Sequence, residues 1–141
     1  MEKICNVMIV DDDPMFNMIN KRIMRITKFG EEIDAYLNGS DALLHLKAIM
    51  ETDVSKFPDV MFIDINMPFM DGWQFLDELN KFPQFVLKDC KIYMLTSSID
   101  QNDFEKAKKY KIVSTLISKP LTIDRLETIM TEVPLLELEC N

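Results

Sequence analysis

With 141 residues, 48% of them hydrophobic and only 3 Gly and 6 Pro, the chain has the content of one folded domain and none of the bias of a disordered segment. Its formal charge of -8 sets it against nucleic-acid phosphates and anionic lipid surfaces, so neither direct nucleic-acid binding nor membrane association is expected. No apolar run reaches the roughly 18 residues of a transmembrane helix, and the run after Glu2, Lys3 and Asn6 reads as a first strand, not as a signal peptide.

Cys5, Cys90 and Cys140 are far apart and lack CxxC spacing, which predicts three reduced thiols in a cytoplasmic protein and no zinc site.

Cys5 to Val10 is the first predicted strand. Pro14 suits the first turn of a helix, where its missing N–H costs little, with Asp12 or Asp13 as the cap. Phe16, Ile19, Ile23 and Ile26 follow at helical spacing; the three isoleucines are expected in the core, and Gly30 lies near the stop. A strand over Ile33 to Leu37 and an Asn38-Gly39 turn lead to a second helix, capped by Ser40 or Asp41, with Leu43, Leu46 and Met50 as its stripe. Val60 to Ile63 is a continuous apolar run, the pattern of a strand covered on both faces. Further on, Trp73 to Leu79, Asp100 to Lys109 and Ile123 to Met130 read as helices, and Ile92 to Leu95 and Val113 to Ile117 as strands. Five strands and five helices thus alternate, and right-handed crossovers make of them a doubly wound parallel α/β sheet with helices on both faces. The longer loops, Glu51 to Pro58 and Phe82 to Asp89, precede strands and read as decoration. Pro134 to Asn141 mixes leucines with acids and reads as a tail that packs locally or frays.

Asp11, Asp12, Asp64 and Lys119 each sit at or just past the end of an apolar run. In an open α/β sheet ligands bind outside the carboxyl ends of the strands, so these four residues are expected in one pocket. Three close carboxylates repel unless protonated or bridged by a cation, and oxygen ligands favour a hard divalent ion such as Mg²⁺. Singly, each feature is ordinary: an Asp pair is often a helix cap, and a lone Lys is usually solvated. Asp13 and Asp71 read as cap and turn residues, and His45 as a partly buried or solvated helix residue.

Five blocks add specificity: Val7 to Pro14, Phe62 to Pro68, Met70-Asp71-Gly72, Met94 to Ser97, and Ser118 to Leu121. With them in this order, the chain resembles the receiver domains of two-component response regulators, of the single-domain chemotaxis type. The resemblance implies a flavodoxin-like fold with strand order 2-1-3-4-5, a receiver domain over residues 1–133 and a short tail over 134–141 with no output domain. It implies Asp64 as phosphoacceptor, assisted by Lys119 and Thr96, with the Ser97 backbone N–H in support. It implies one Mg²⁺, held directly by Asp12, through water by Asp11, and by Asp64 and the backbone carbonyl of Asn66. Pro120 is implied to follow a cis peptide bond, and Met67-Pro68 and Gly72 to shape the loop after Asp64. The implied partners are a histidine kinase or histidine phosphotransfer domain, docking on the first helix and the loop after the fifth strand, and a downstream protein that the sequence does not identify. Two positions depart from the pattern. Leu116 stands where a mobile Tyr or Phe is usual, and Ser114-Thr115 where an Ala-Gly type turn is common.

Two other classes fit parts of the pattern. Asp11-x-Asp13 after a strand resembles a haloacid-dehalogenase-like phosphohydrolase with Asp11 as nucleophile, but Met15 and the lack of an acidic pair near Lys119 count against it. A degenerate receiver that binds a partner without phosphorylation would have no need of the intact set of Asp11, Asp12, Asp64, Thr96 and Lys119.

Overall fold

The computed structural model describes residues 4–132. The predicted tail and Cys140 lie outside them. The elements are β1 (Asn6–Val10), α1 (Pro14–Ile26), β2 (Glu32–Tyr36), α2 (Gly39–Thr52), β3 (Val60–Asp64), α3 (Gly72–Leu79), α4 (Gln84–Leu87), β4 (Lys91–Thr96), α5 (Gln101–Lys109), β5 (Val113–Ser118) and α6 (Ile123–Glu132). The five strands form one parallel sheet in the order β2-β1-β3-β4-β5. This is the doubly wound sheet expected from the alternation, with the strand order that the resemblance implies.

Alternation of side chains along each strand divides the core in two. Met8, Val10, Met61, Ile63, Ile92 and Met94 face one way and pack with Leu43 and Leu46 of α2 and Phe75 and Leu76 of α3. Val7, Ile9, Val60, Phe62, Tyr93 and Leu95 face the other way and pack with Met24 of α1 and Leu126 and Ile129 of α6. β3 is buried along its whole length, as its unbroken apolar run requires.

Several expectations change in detail. Among the described residues there are six helices and not five, because the loop after α3 folds a four-residue helix, α4; the loop after α2 contains in addition a 3-10 turn at Val54–Lys56. Of the three isoleucines of the first helix expected in the core, Ile23 is half-buried and packs against it, but the other two face out. Ile19 is 49% exposed and Ile26 71%. Its buried residues are Asn17, Asn20 and Met24. Both asparagines find carbonyl partners, Asn17 Nδ2 donating to Asp11 O at 2.9 Å and Asn20 Nδ2 to Phe16 O at 2.7 Å. Those bonds offset part of the cost of burying two amides, Asn17 Oδ1 being buried without a hydrogen-bond partner.

Among the caps, Asp13 closes α1 by accepting from the Met15 N–H, and Asn38, not Ser40 or Asp41, closes α2 by accepting from the Asp41 N–H at 2.8 Å. Asp71 caps α3 in a reciprocal box with Gln74, the cap role expected of it. His45 is half-buried against the Tyr36 ring. The thiol expectation fails at Cys5, which is disulfide-bonded, while Cys90 is buried and free. No helix among the described residues is long and apolar enough to cross a membrane.

Candidate phosphoacceptor site

The chain passes from β1 through α1 to β2 on one side, then returns to β3 on the other. The crevice between β1 and β3 is therefore the topological switch point, where open α/β sheets bind ligands. Asp11 and Asp12 follow β1 there, and Asp64 ends β3. Lys119 follows β5, two strands beyond β3, and its long side chain spans that distance.

Lys119 Nζ lies 2.7 Å from Asp11 Oδ2 and 3.2 Å from Asp64 Oδ1. Asp11 is fully buried, Asp64 nearly so, and Asp12 is exposed. Asp11 Oδ1 also accepts from the Asp13 N–H at 2.9 Å, so its carboxylate is held from both sides. The Asn66 N–H points to Asp64 Oδ1 at 3.4 Å. A carboxylate oxygen from each of Asp11, Asp12 and Asp64 lies within 4.8 Å of the other two.

Burial first, and then the facing Asp11 carboxylate, push the Asp64 carboxyl up to about 6, against the pull of Lys119. Burial also works against the Lys119 ammonium, but Asp11 and Asp64 outweigh it and hold its pKa above the ordinary lysine range. Three carboxylates and one ammonium leave two negative charges formally uncompensated. An all-oxygen donor set with that charge fits a hard divalent cation of the Mg²⁺ kind.

One stability prediction arises here. In the metal-free protein, Asp64→Asn is expected to stabilise the fold by about 1–3 kcal/mol at neutral pH. Below the unfolded value of 3.8 the carboxyl is protonated in both states and the substitution changes little. As pH rises towards about 6, the unfolded chain ionises first and wild-type stability falls; above that the whole difference is present. Urea titrations of both proteins at pH values on either side of this window check it. An equal difference at every pH would contradict it.

Thr96 lies at the end of β4, 2% exposed, beside the site. Its hydroxyl donates to Ser98 O at 2.9 Å and is not turned to Asp64. Lys119–Pro120 is a cis peptide bond, as the resemblance implies. Leu116 is buried in the same apolar layer as Met94. Phe69 is exposed with a positive φ of 68°, whereas Trp73 is buried and stacked on Tyr110 at 5.4 Å.

Two residues that face this site were not singled out from the sequence. Phe16, in sequence one member of the apolar stripe of α1, has its ring centroid 4.5 Å from Lys119 Nζ. Asn17 ties α1 to the Asp11 backbone. It shares one buried helical face with Asn20 and Met24, a face whose two amides give no apolar signal.

Comparison with known proteins agrees with this geometry. The family model described as the response regulator receiver domain matches residues 7–131. The crystal structure of a two-component response regulator from Cytophaga hutchinsonii is 32% identical, with a TM-score of 0.85 over 94% of this chain and 98% of that one. The probable C4-dicarboxylate response regulator DctR of Halalkalibacterium halodurans is 23% identical over 93% of this chain and 52% of its own length. The transcriptional regulatory protein MalR of Bacillus subtilis is 27% identical over 90% of this chain and 49% of its own. The chain thus spans about half the length of these curated relatives. Sheet order, strand-end carboxylates, family match and structural likeness coincide on one assignment: the chain belongs to the response regulator receiver domains of two-component systems, which are signalling domains and not classical enzymes.

Proposed function

We propose that Asp64 accepts a phosphoryl group from a phosphohistidine of a histidine kinase or histidine phosphotransfer domain, and that the phosphorylated domain signals by binding a downstream protein or passing the group on. The observation that carries this reading is the single ammonium of Lys119 shared between buried Asp11 and Asp64 at the β1/β3 crevice, with Asp12 open beside them. Asp11, Asp12, Asp64 and the backbone carbonyl of Asn66 would hold Mg²⁺, which when bound supplies positive charge against the phosphoryl oxygens.

An Asp64 carboxylate oxygen attacks phosphorus; the P–N bond breaks, and its electron pair returns to the imidazole nitrogen, which takes a proton. Lys119 leaves Asp64 and pairs with a phosphoryl oxygen, an exchange suited to a compact ammonium. Thr96 turns its hydroxyl from Ser98 O to another phosphoryl oxygen, and the Ser97 N–H adds a donor. Water later attacks phosphorus, releasing phosphate and restoring the carboxylate. Leu116 has no polar tip with which to follow Thr96, so the output runs through Thr96 and its own loop and not through an aromatic swing.

The test is intact-mass measurement and peptide mapping after incubation with acetyl phosphate, with and without Mg²⁺. One phosphoryl group on Asp64, dependent on Mg²⁺, is the expected result. A group on Asp11 would instead support the dehalogenase-like reading. No group and no released phosphate would support a binding module that does not use phosphorylation.

A further inference from the structure

At the opposite end of the sheet from Asp64, a cavity of about 630 Å³ opens where β4 and β5 begin. Its size falls within the range of small-molecule sites, about 300–1,000 Å³. Lys88, Lys91, Lys109 and Lys111 line it, a quarter of the 16 Lys and Arg in a chain of net charge -8. No carboxylate lines it. Among the described residues, no Asp or Glu lies within ion-pair distance of any of these four ammonium groups.

Two features that depart from plain alternation contribute to the same cavity. The inserted α4 provides Gln84, and its C-cap is Lys88. The β4–β5 register jumps from Ile92↔Val113 to Tyr93↔Thr115, leaving Ser114 as an extra residue, and Ser114 lines the cavity. Such bulges are rare in parallel pairs and re-aim side chains beside functional sites. Compensation of the helix dipole accounts for Lys109 in the last turn of α5, but not for Lys91 at the start of β4 or Lys111 in the loop before β5.

We propose that this cavity binds a small polyphosphate anion. Ammonium, amide and hydroxyl groups offer many donors, and a chain of phosphates supplies only acceptors and the opposite charge. The site is separate from Asp64 and does not depend on phosphorylation there.

The experiment is titration of the full, isotope-labelled chain in metal-free buffer, followed by backbone amide shifts, with inorganic tripolyphosphate in one arm and ATP in the other. The expected result is saturable shifts confined to Asn80 and residues 84–91 and 109–114. Affinity should fall about tenfold or more in the Lys88→Gln/Lys111→Gln double variant, whose changes are on exposed side chains. Tighter binding of ATP assigns a nucleotide, and equal binding assigns the phosphate chain alone. Shifts scattered over all surface lysines, no saturation in either arm, or unchanged affinity in the double variant would overturn the proposal.

Discussion

Lys119→Ala is expected to lower the rate of phosphoryl transfer to Asp64 by about 10²–10³-fold, and in the metal-free protein to destabilise the fold by about 3 kcal/mol. Both effects come from one ammonium. At rest it is the cation that lies 2.7 Å from Asp11 and 3.2 Å from Asp64. Without it two buried carboxylates face each other uncompensated, and removing one partner of a buried pair costs far more than the pair itself contributes. On the proposed reading the same charge meets the phosphoryl oxygens during transfer, and a preorganised donor of that kind typically accounts for two to three orders of magnitude in rate. The two losses separate on adding Mg²⁺. A cation among Asp11, Asp12 and Asp64 replaces the missing compensation, so stability should recover with Mg²⁺ concentration as for any ligand that binds only the folded state. The rate should stay below that of the wild type at every Mg²⁺ concentration, because the metal does not replace the contact between the lysine and a phosphoryl oxygen. Urea denaturation and acetyl phosphate labelling, each across a Mg²⁺ series, give the two readings. Stability loss indifferent to Mg²⁺ would mean that the lysine is held for other contacts, its ammonium over the Phe16 ring among them, and not to compensate Asp11 and Asp64.

The strand ends were readable in the sequence because parallel strands buried on both faces must be short and apolar throughout. The first polar residue after Val10 and Ile63 therefore falls at the carboxyl edge of the sheet. That one rule places Asp11 and Asp64; Lys119 follows the edge strand β5, whose Ser114, Thr115 and Ser118 are exposed, and is placed by the short Leu116-Ile117 run before it. The inward face of α1 is hidden in the sequence for a related reason. Apolar spacing names the inward face only when the inward face is apolar, and here Asn17 and Asn20 face inward while Ile19 and Ile26 face out. The asparagines are tolerated because Asp11 O and Phe16 O accept their amides. Helix α4 has four residues, too few for any period to show. The hydroxyl direction of Thr96 depends on Ser98 O, a main-chain group of the following loop, which residue types do not encode.

Gly72→Ala is expected to destabilise the domain by about 2–3 kcal/mol and to slow labelling of Asp64 by about 10²-fold, although residue 72 touches no phosphoryl group. A Cβ at this position would stand 2.6 Å from Asp64 O and 2.9 Å from the Cα of Ile65, and 2.8 Å from Met94 Cε. The methionine tip can move aside, but the first two contacts are backbone. The glycine N–H meanwhile donates to Ile65 O at 2.8 Å, fixing the first residue of α3 against the end of β3. Relief is therefore available only by moving α3 or by moving the strand end that carries Asp64. If α3 moves, it drags Trp73 and with it the Trp73–Tyr110 stack that joins α3 to the end of α5, and stability falls. If the strand end moves, Asp64 leaves the position from which it meets both Lys119 and an in-line phosphorus, and a displacement of about 1 Å is enough for a hundredfold loss of rate. Denaturation and labelling measured on the same variant show how the strain divides. A loss of rate with little loss of stability would place the shift in β3, and the converse would place it in α3. Wild-type values for both would mean that the β3–α3 junction yields freely, and Gly72 would then have no part in holding the site.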